Sequence, residues 1–271
     1  TACTTEPKPT IAAVLNREDT PPIAPSLIIP QNLLKSKLRK KQITAQKAGV
    51  LKPEAPGKEV LDHGEVVVDI SNVAQGYVAL RYKGSAKKIS VEVIGKNNKV
   101  YKYFIERTKE PTYFPLTSGN GTYQISVYEN VQDDEYSVLM MDSFEVKLKN
   151  KFLPFLYPNQ YVEFTSKTKA VKEAKKLAKD SKDDLAIVKA VYNYVVKNVK
   201  YDDEKAQNVQ SGYLPSVDET LKTKKGICFD YAALMTAMLR SQGIPTKLEI
   251  GYSGDIYHAW ISTWLNEKGW V

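Results

Sequence analysis

Residues 226–260, GICFDYAALMTAMLRSQGIPTKLEIGYSGDIYHAW, decide how the C-terminal half of this chain folds. The apolar spacing after Gly226 predicts a helix from about Cys228 to Gln242, with Tyr231, Leu234 or Met235, and Met238 on its inward face. Gly243 supplies the stop, and Pro245 prevents the helix from continuing. Two alternating stretches follow. TKLEIGY carries Leu248, Ile250 and Tyr252 at a period of two, and HAWISTWL carries His258, Trp260, Ser262 and Trp264, so a pair of strands is predicted. The stretch also holds one of only two cysteines and one of only two histidines in the 271 residues.

Both residues fall at the edge of a regular element. Cys228 begins a helix, where the positive end of the helix dipole favours thiolate over thiol. His258 begins a strand, and the helix, turn and strand between them can fold back to bring thiol and imidazole together. That pair suits nucleophilic acyl transfer, with sulfur attacking while the imidazole takes and then returns a proton. The plainer alternatives are a buried cysteine acting as a small apolar residue and a strand histidine with its hydrogen bonds met.

Upstream, DDLAIVKAVYNYVVKNVKYDDE places Leu185, Val188, Tyr192, Val195 and Val199 on one helical face, with Asp183 or Asp184 as cap. TKAVKEAKKLAKD is a second helix, and SGYLPSVDETLKTKKG reads as a loop leading to Cys228. KFLPFLYPNQYVEFT, with two prolines and five aromatic residues, reads as an ordered linker packed on the C-terminal domain. From Gly64 to about residue 150 the period is two. EVVVDIS, GYVALRYKG, KKISVEVIGKNNKVYKYFIE, GTYQISVYEN and SVLMMDSFEVKLK read as strands, with GKNNK as a hairpin turn. Seventeen tyrosines against seven phenylalanines fit strands with one wet face. The predicted unit is an antiparallel β-sandwich over residues 61–150. His63, at its start, reads as an exposed turn residue.

The first 60 residues differ in character. Residues 1–26 are rich in Pro, Thr and Ala and read as a tether. Leu33, Leu34 and Leu38 stand among Lys and Arg in a basic amphipathic helix or solvated linker ending near Gly49. The net charge of +8 is concentrated here: residues 31–60 carry +6, residues 1–30 carry −1, and the remainder +3. The basicity therefore does not describe a nucleic-acid-binding face on the folded part. No zinc spacing and no glycine-rich phosphate loop occur, so neither nucleic acid, nor metal, nor cofactor is implied. No run approaches the roughly 18 apolar residues of a membrane helix.

The residues around Cys228 and His258 carry a resemblance. GICFDYA, the GIP turn at Gly243–Pro245, GY at Gly251–Tyr252, HAW at His258–Trp260 and the closing GW at Gly269–Trp270 together resemble the transglutaminase-like superfamily. Its motif is G-x-C-x-[DE]-[YF]-A before a helix, with H-A-W opening a strand. The resemblance is specific over Tyr213–Val271 and looser over Lys167–Gly212. It implies a fold related to papain-like thiol enzymes, Cys228 as nucleophile and His258 as base. It also implies a side-chain donor upstream for the oxyanion, for which Tyr213 is the candidate, with loop packing as its alternative. Trp260 and Trp264 would line a substrate groove or pack in the core. The third group, an acid orienting the imidazole, belongs on the strand after HAW. LNEKGWV is the turn into that strand, so the acid is expected beyond Val271 and these strands are expected to be incomplete. Asp230 is expected to cap the helix, and Asp255 to lie in the turn before His258.

Thr1-Ala2-Cys3 resembles the end of a bacterial lipobox, which implies a lipid on Cys3 and attachment to the outer side of a bacterial cell membrane. The whole is then α+β: tether and basic segment (1–60), β-sandwich (61–150) and transglutaminase-like domain (151–271). The leading expectation is a cell-surface thiol enzyme acting on protein or peptide amides through an acyl-enzyme. The alternative is a non-catalytic surface module that binds a partner through its sandwich.

Overall fold

The computed structural model describes residues 49–106, 110–132 and 135–271. The tether, the basic amphipathic segment and Cys3 lie outside the described residues.

Alternating Val, Ile and Tyr residues pair as the sequence predicts into two four-stranded antiparallel sheets. Strands β1 (Val60–His63), β2 (Val66–Asp69), β3 (Tyr77–Tyr82) and β6 (Thr112–Pro115) form the first, in the order β1-β2-β3-β6. Strands β4 (Lys88–Ile94), β5 (Val100–Glu106), β7 (Gly121–Gln132) and β8 (Glu135–Val146) form the second, in the order β5-β4-β7-β8. The inward side chains of both sheets make one buried cluster, including Val66, Val68, Leu80 and Phe114 from the first and Ile89, Val91, Tyr103, Ile125 and Phe144 from the second. Two short strands escape the periodic reading. In β1, VLDH carries two ionisable residues among four, and β6, TYFP, ends on a proline. His63 corrects its reading as a turn residue: it closes β1, and its Nε2 lies 3.2 Å from Asp142 Oδ2 on β8, tying one sheet to the other.

The linker packs on both parts of the protein. Gln160 Nε2 donates to the Phe104 carbonyl (2.6 Å) and Tyr161 Oη to the Lys102 carbonyl (3.2 Å), both on β5. On the other side, Phe152 meets Trp264 and Phe155 meets Trp270, with ring centroids 4.8 and 5.0 Å apart.

In the C-terminal part, helices α1 (Lys169–Ala178), α2 (Asp184–Asn198), α3 (Asp203–Asn208), α4 (Val217–Thr223) and α5 (Cys228–Ser241) are followed by β11 (Thr246–Ser253), β12 (Ile256–Leu265) and β13 (Gly269–Trp270), an antiparallel sheet in that order. Strands β9 (Lys200–Tyr201) and β10 (Lys225–Gly226) pair in parallel just before α5. Asp183 caps α2 through the Ala186 N–H, as expected. Gly243 ends α5 at φ +80°, a left-handed value that suits glycine. The loop reading of residues 211–226 is corrected: Ser216 accepts from the Glu219 N–H and starts α4. The single inward face predicted for α5 is corrected too. From Phe229 to Ser241 all but Tyr231 are buried, because α1, α2 and α4 pack on one side and β11–β12 on the other. A helix closed in on all sides carries apolar residues on every face, and here Asp230, Thr236, Arg240 and Ser241 are buried among them.

Several core tyrosines are held neutral. Burial is the main cause that pushes Tyr77, Tyr123, Tyr161 and Tyr201 up to about 12. A phenol raised in the folded state adds stability that is complete below its unfolded value of about 10 and is lost as pH rises through the folded value. The melting temperature is therefore expected to fall between about pH 10 and pH 12, as followed by circular dichroism. A flat profile through that window would contradict the burial of these hydroxyls.

Candidate functional site

Helix α5 begins at Cys228 because Gly226 lets the chain turn tightly against the first helical turn. A Cβ on Gly226 would stand 2.6 Å from Asp230 Cβ and 3.1 Å from its Oδ2. Asp230 sits there because its carboxylate accepts from the Ile227 N–H at 2.9 Å, the capping role expected of it. Gly226→Ala is expected to displace this carboxylate and cost about 1–2 kcal/mol, read as a lower urea midpoint at unchanged slope. An unchanged midpoint would contradict the packing.

Asp230 is fully buried, so its charge needs partners. It has them from residues far back in the chain. Lys205 Nζ, on α3, lies 2.7 Å from Oδ2. The Tyr213 hydroxyl donates to Oδ1 at 2.5 Å and accepts from Lys205 Nζ at 2.6 Å. Of the two readings given for Tyr213, this contact favours packing. Its single proton is held by a carboxylate, and burial together with Asp230 pushes that hydroxyl far up, so it is not a free donor for an oxyanion. An open cavity of about 410 Å³ lies beside this group, lined by Lys205 and residues 208–213.

Cys228 is half-buried and, among the described residues, a free thiol. Its thiol belongs to a small cluster with Ala206, Phe229, Ala259 and Ile261. The expected direction of its ionisation is reversed: burial pushes the thiol up, and the N–H groups of Ala259, Phe229 and Cys228 itself pull the other way without overcoming it. A helix start favours thiolate, but an apolar pocket penalises the charge more. The Ala259 N–H donates toward this sulfur. Ala259 follows His258 directly, so strand β12 brings the backbone next to His258 to the sulfur.

Alternation on β12 separates their side chains. Ala259, Thr263 and Leu265 are buried on the α5 side, while His258 and Trp260 face the other way, their rings stacked with centroids 6.5 Å apart. Among the described residues the His258 ring makes no hydrogen bond or ion pair, with Cys228 or with any carboxylate. Burial lowers its pKa, so thiol and imidazole rest as a neutral pair. Asp255 lies in the turn between β11 and β12, as expected.

The two tryptophans do not share one role. Trp264 packs between Phe152 and Trp270, with Lys151 Nζ 5.1 Å above its ring, and is absorbed by the linker contact rather than by a groove. Trp260 stays beside His258. The sequence reading missed Tyr257, whose odd-numbered position on β12 puts it on the Ala259 side, and Tyr201 on β9. The hydroxyls of both are raised by burial first; the nearby sulfur comes next for Tyr201, and Tyr252 and then the sulfur for Tyr257. Exposed Tyr252, its ring 5.3 Å from that of Tyr257, and exposed Ile250 extend this surface along the hairpin. Among the described residues no group of three or more His, Cys, Asp or Glu side chains is placed to hold a metal ion, and no helix is long and apolar enough to cross a membrane.

Comparison with known proteins places the fold. UPF0252 protein MJ1282 of Methanocaldococcus jannaschii is 28% identical over 193 residues, covering 67% of this chain and 55% of the relative. A protein-glutamine gamma-glutamyltransferase of Pseudomonas aeruginosa is 34% identical over 70 residues, covering 20% of this chain and 10% of the relative. The chain thus spans about half the length of the first and a small part of the second. A solved structure from Cytophaga hutchinsonii, described as a candidate cysteine protease, is 18% identical, covers 83% of this chain and 68% of that one, and superposes with a TM-score of 0.40. The profile of the transglutaminase-like superfamily matches residues 172–271. That span holds α5, β12 and the whole GICFDYA…HAW pattern, and residues 172–271 are a transglutaminase-like domain.

Proposed function

We propose that this protein is a thiol acyl-transfer enzyme acting on amides of proteins or peptides, with Cys228 as nucleophile and His258 as base. The observation that carries the reading is the position of the Cys228 sulfur: at the first turn of a buried helix, with the N–H of Ala259, the residue after His258, directed at it. The chemistry follows from the neutral resting pair. His258 leaves its stack on Trp260, takes the thiol proton, and sulfur forms a bond to the amide carbonyl carbon. The oxygen gains the negative charge, with the Cys228 N–H as a donor in reach of it. His258 then returns the proton to the departing nitrogen as the C–N bond breaks. The resulting thioester is resolved by an amine or by water, which restores the thiol. The His258 ring has to swing from the face it shares with Trp260 toward the sulfur, and such contacts commonly tighten only once substrate is bound.

The Pseudomonas relative, a protein-glutamine gamma-glutamyltransferase by name, supports glutamine side chains as the first acyl donors to try. The test is incorporation of a fluorescent primary amine into a glutamine-containing peptide library, with ammonia release measured in parallel. Activity present in the protein and absent from Cys228→Ala supports the reading. Equal activity in both, or none with any donor, overturns it and leaves the partner-binding module as the function to test. A lipid on Cys3 and a place on the outer face of a bacterial membrane belong to the same proposal, supported by the Thr1-Ala2-Cys3 pattern and the polar tether behind it. Cys3→Ser is expected to move the protein from the membrane to the soluble fraction and to lower its intact mass by more than the substitution alone. Unchanged partitioning would refute the anchor.

A further inference from the structure

The Lys205–Asp230–Tyr213 group lies apart from the Cys228–His258 pair yet directly beneath it. Asp230 is two residues from Cys228 on the first turn of α5, is fully buried, and faces Lys205 Nζ at 2.7 Å. Three donors, from Ile227, Tyr213 and Lys205, fix the carboxylate in place. Capping a helix needs only the first of them. The ammonium is brought in by α3, which starts at the Asp202 cap and is held to β10 by the Asp202 N–H bonded to the Gly226 carbonyl. Burial of the carboxylate calls for an opposite charge, and the lysine that supplies it keeps its side chain 30% exposed.

We propose that Lys205 is a positioning residue for the nucleophile: its ammonium neutralises Asp230 beneath α5, so that Cys228 loses its proton without facing an uncompensated negative charge. The inference rests on the reading of Cys228 as nucleophile. The other groups around the sulfur carry no charge that could do this. Tyr201 and Tyr257 are held protonated by burial, and His258 is pushed toward its neutral form. Tyr213 keeps its proton on Asp230. Asp203 and Asp230 both raise Tyr201, and Asp230 also raises the thiol, second only to burial among the causes that do so. Like charge disfavours an anion and opposite charge favours it, so the pair matters by its sum.

The test is the rate of Cys228 alkylation by iodoacetamide against pH, in a Cys3→Ser background so that one thiol reacts. This readout needs no turnover and no substrate. Lys205→Met is expected to raise the apparent pKa of Cys228 by about one unit, which slows alkylation about tenfold at pH 7 while leaving the limiting alkaline rate unchanged. Asp230→Asn, which keeps an oxygen for the Ile227 N–H, is expected to shift the profile the other way. The double variant is expected to react within about twofold of the parent, and Lys205→Arg to match it. A merely structural role predicts that both single changes shift the profile in the same direction and that the double variant is worse than either. That pattern, or no shift in either single variant, overturns the proposal. Should Lys205→Met lose its fold, Asp230→Asn decides alone: an unchanged or raised profile overturns it. Failure of the acyl-transfer reading is seen separately, as turnover that survives Cys228→Ala while these alkylation profiles still shift.

Discussion

His258→Ala is expected to slow acylation of Cys228 at neutral pH by about 10³-fold or more, with the protein still folded. The size follows from the resting state. Burial holds the thiol above its ordinary range, so few molecules carry thiolate at pH 7 and attack depends on proton removal during the reaction. His258 is the one histidine in the C-terminal domain, and it adjoins the residue whose N–H donates toward the sulfur. Its neutral form, favoured by burial, is the form that accepts a proton. Raising the pH should recover part of the loss in the variant, because hydroxide then does what the imidazole did. The wild type should show a shallower rise over the same range. A neutral-pH rate within about tenfold of wild type would remove His258 from the mechanism.

Arg240→Met is expected to destabilise the protein by about 3 kcal/mol or more. Arg240 is 6% exposed, and burial lowers its pKa to about 9, yet among the described residues it forms no ion pair with an acid. Its Nε donates to the Thr246 carbonyl at 2.9 Å and its Nη1 to the Tyr157 carbonyl at 2.7 Å. The side chain therefore joins the end of α5, the start of β11 and the linker that also touches β5. Methionine fills part of the volume but leaves two inward-facing carbonyls without donors. The linker contact should loosen with it, since Tyr157 is held from that side. Equilibrium urea unfolding checks the prediction. A loss under about 1 kcal/mol would mean that water or a neighbour satisfies both carbonyls.

Much of this was legible in the chain, for reasons that can be traced. β2, β3, β4, β5, β7 and β8 alternate over enough residues to be read, and GKNNK marks its own hairpin. Helix α5 and strands β11 and β12 announce themselves through Gly243, Pro245 and the alternation after them. What stayed hidden depended on contacts between distant residues. Nothing local signals that Lys205, 25 residues before Asp230, ends beside it. The low-pKa thiol expected from the helix start was wrong in direction because Cys228 packs against the buried cluster of Ala206, Ile227, Phe229, Ala232 and Ala259, which is assembled only in the fold. Trp264 was read by its shared face with His258, and the linker claimed it instead. Helix α4 was read as loop although its Ser216–Glu219 spacing carries a capping signal.

The most direct measurement of the central claim is the intact mass of the protein after brief reaction with an activated glutamine-type acyl donor, followed by peptide mapping. The account predicts one acyl adduct on Cys228, absent from Cys228→Ala, slow to form in His258→Ala, and discharged by an added primary amine or by water. An adduct at another residue, or product formation by Cys228→Ala at the wild-type rate, would contradict it.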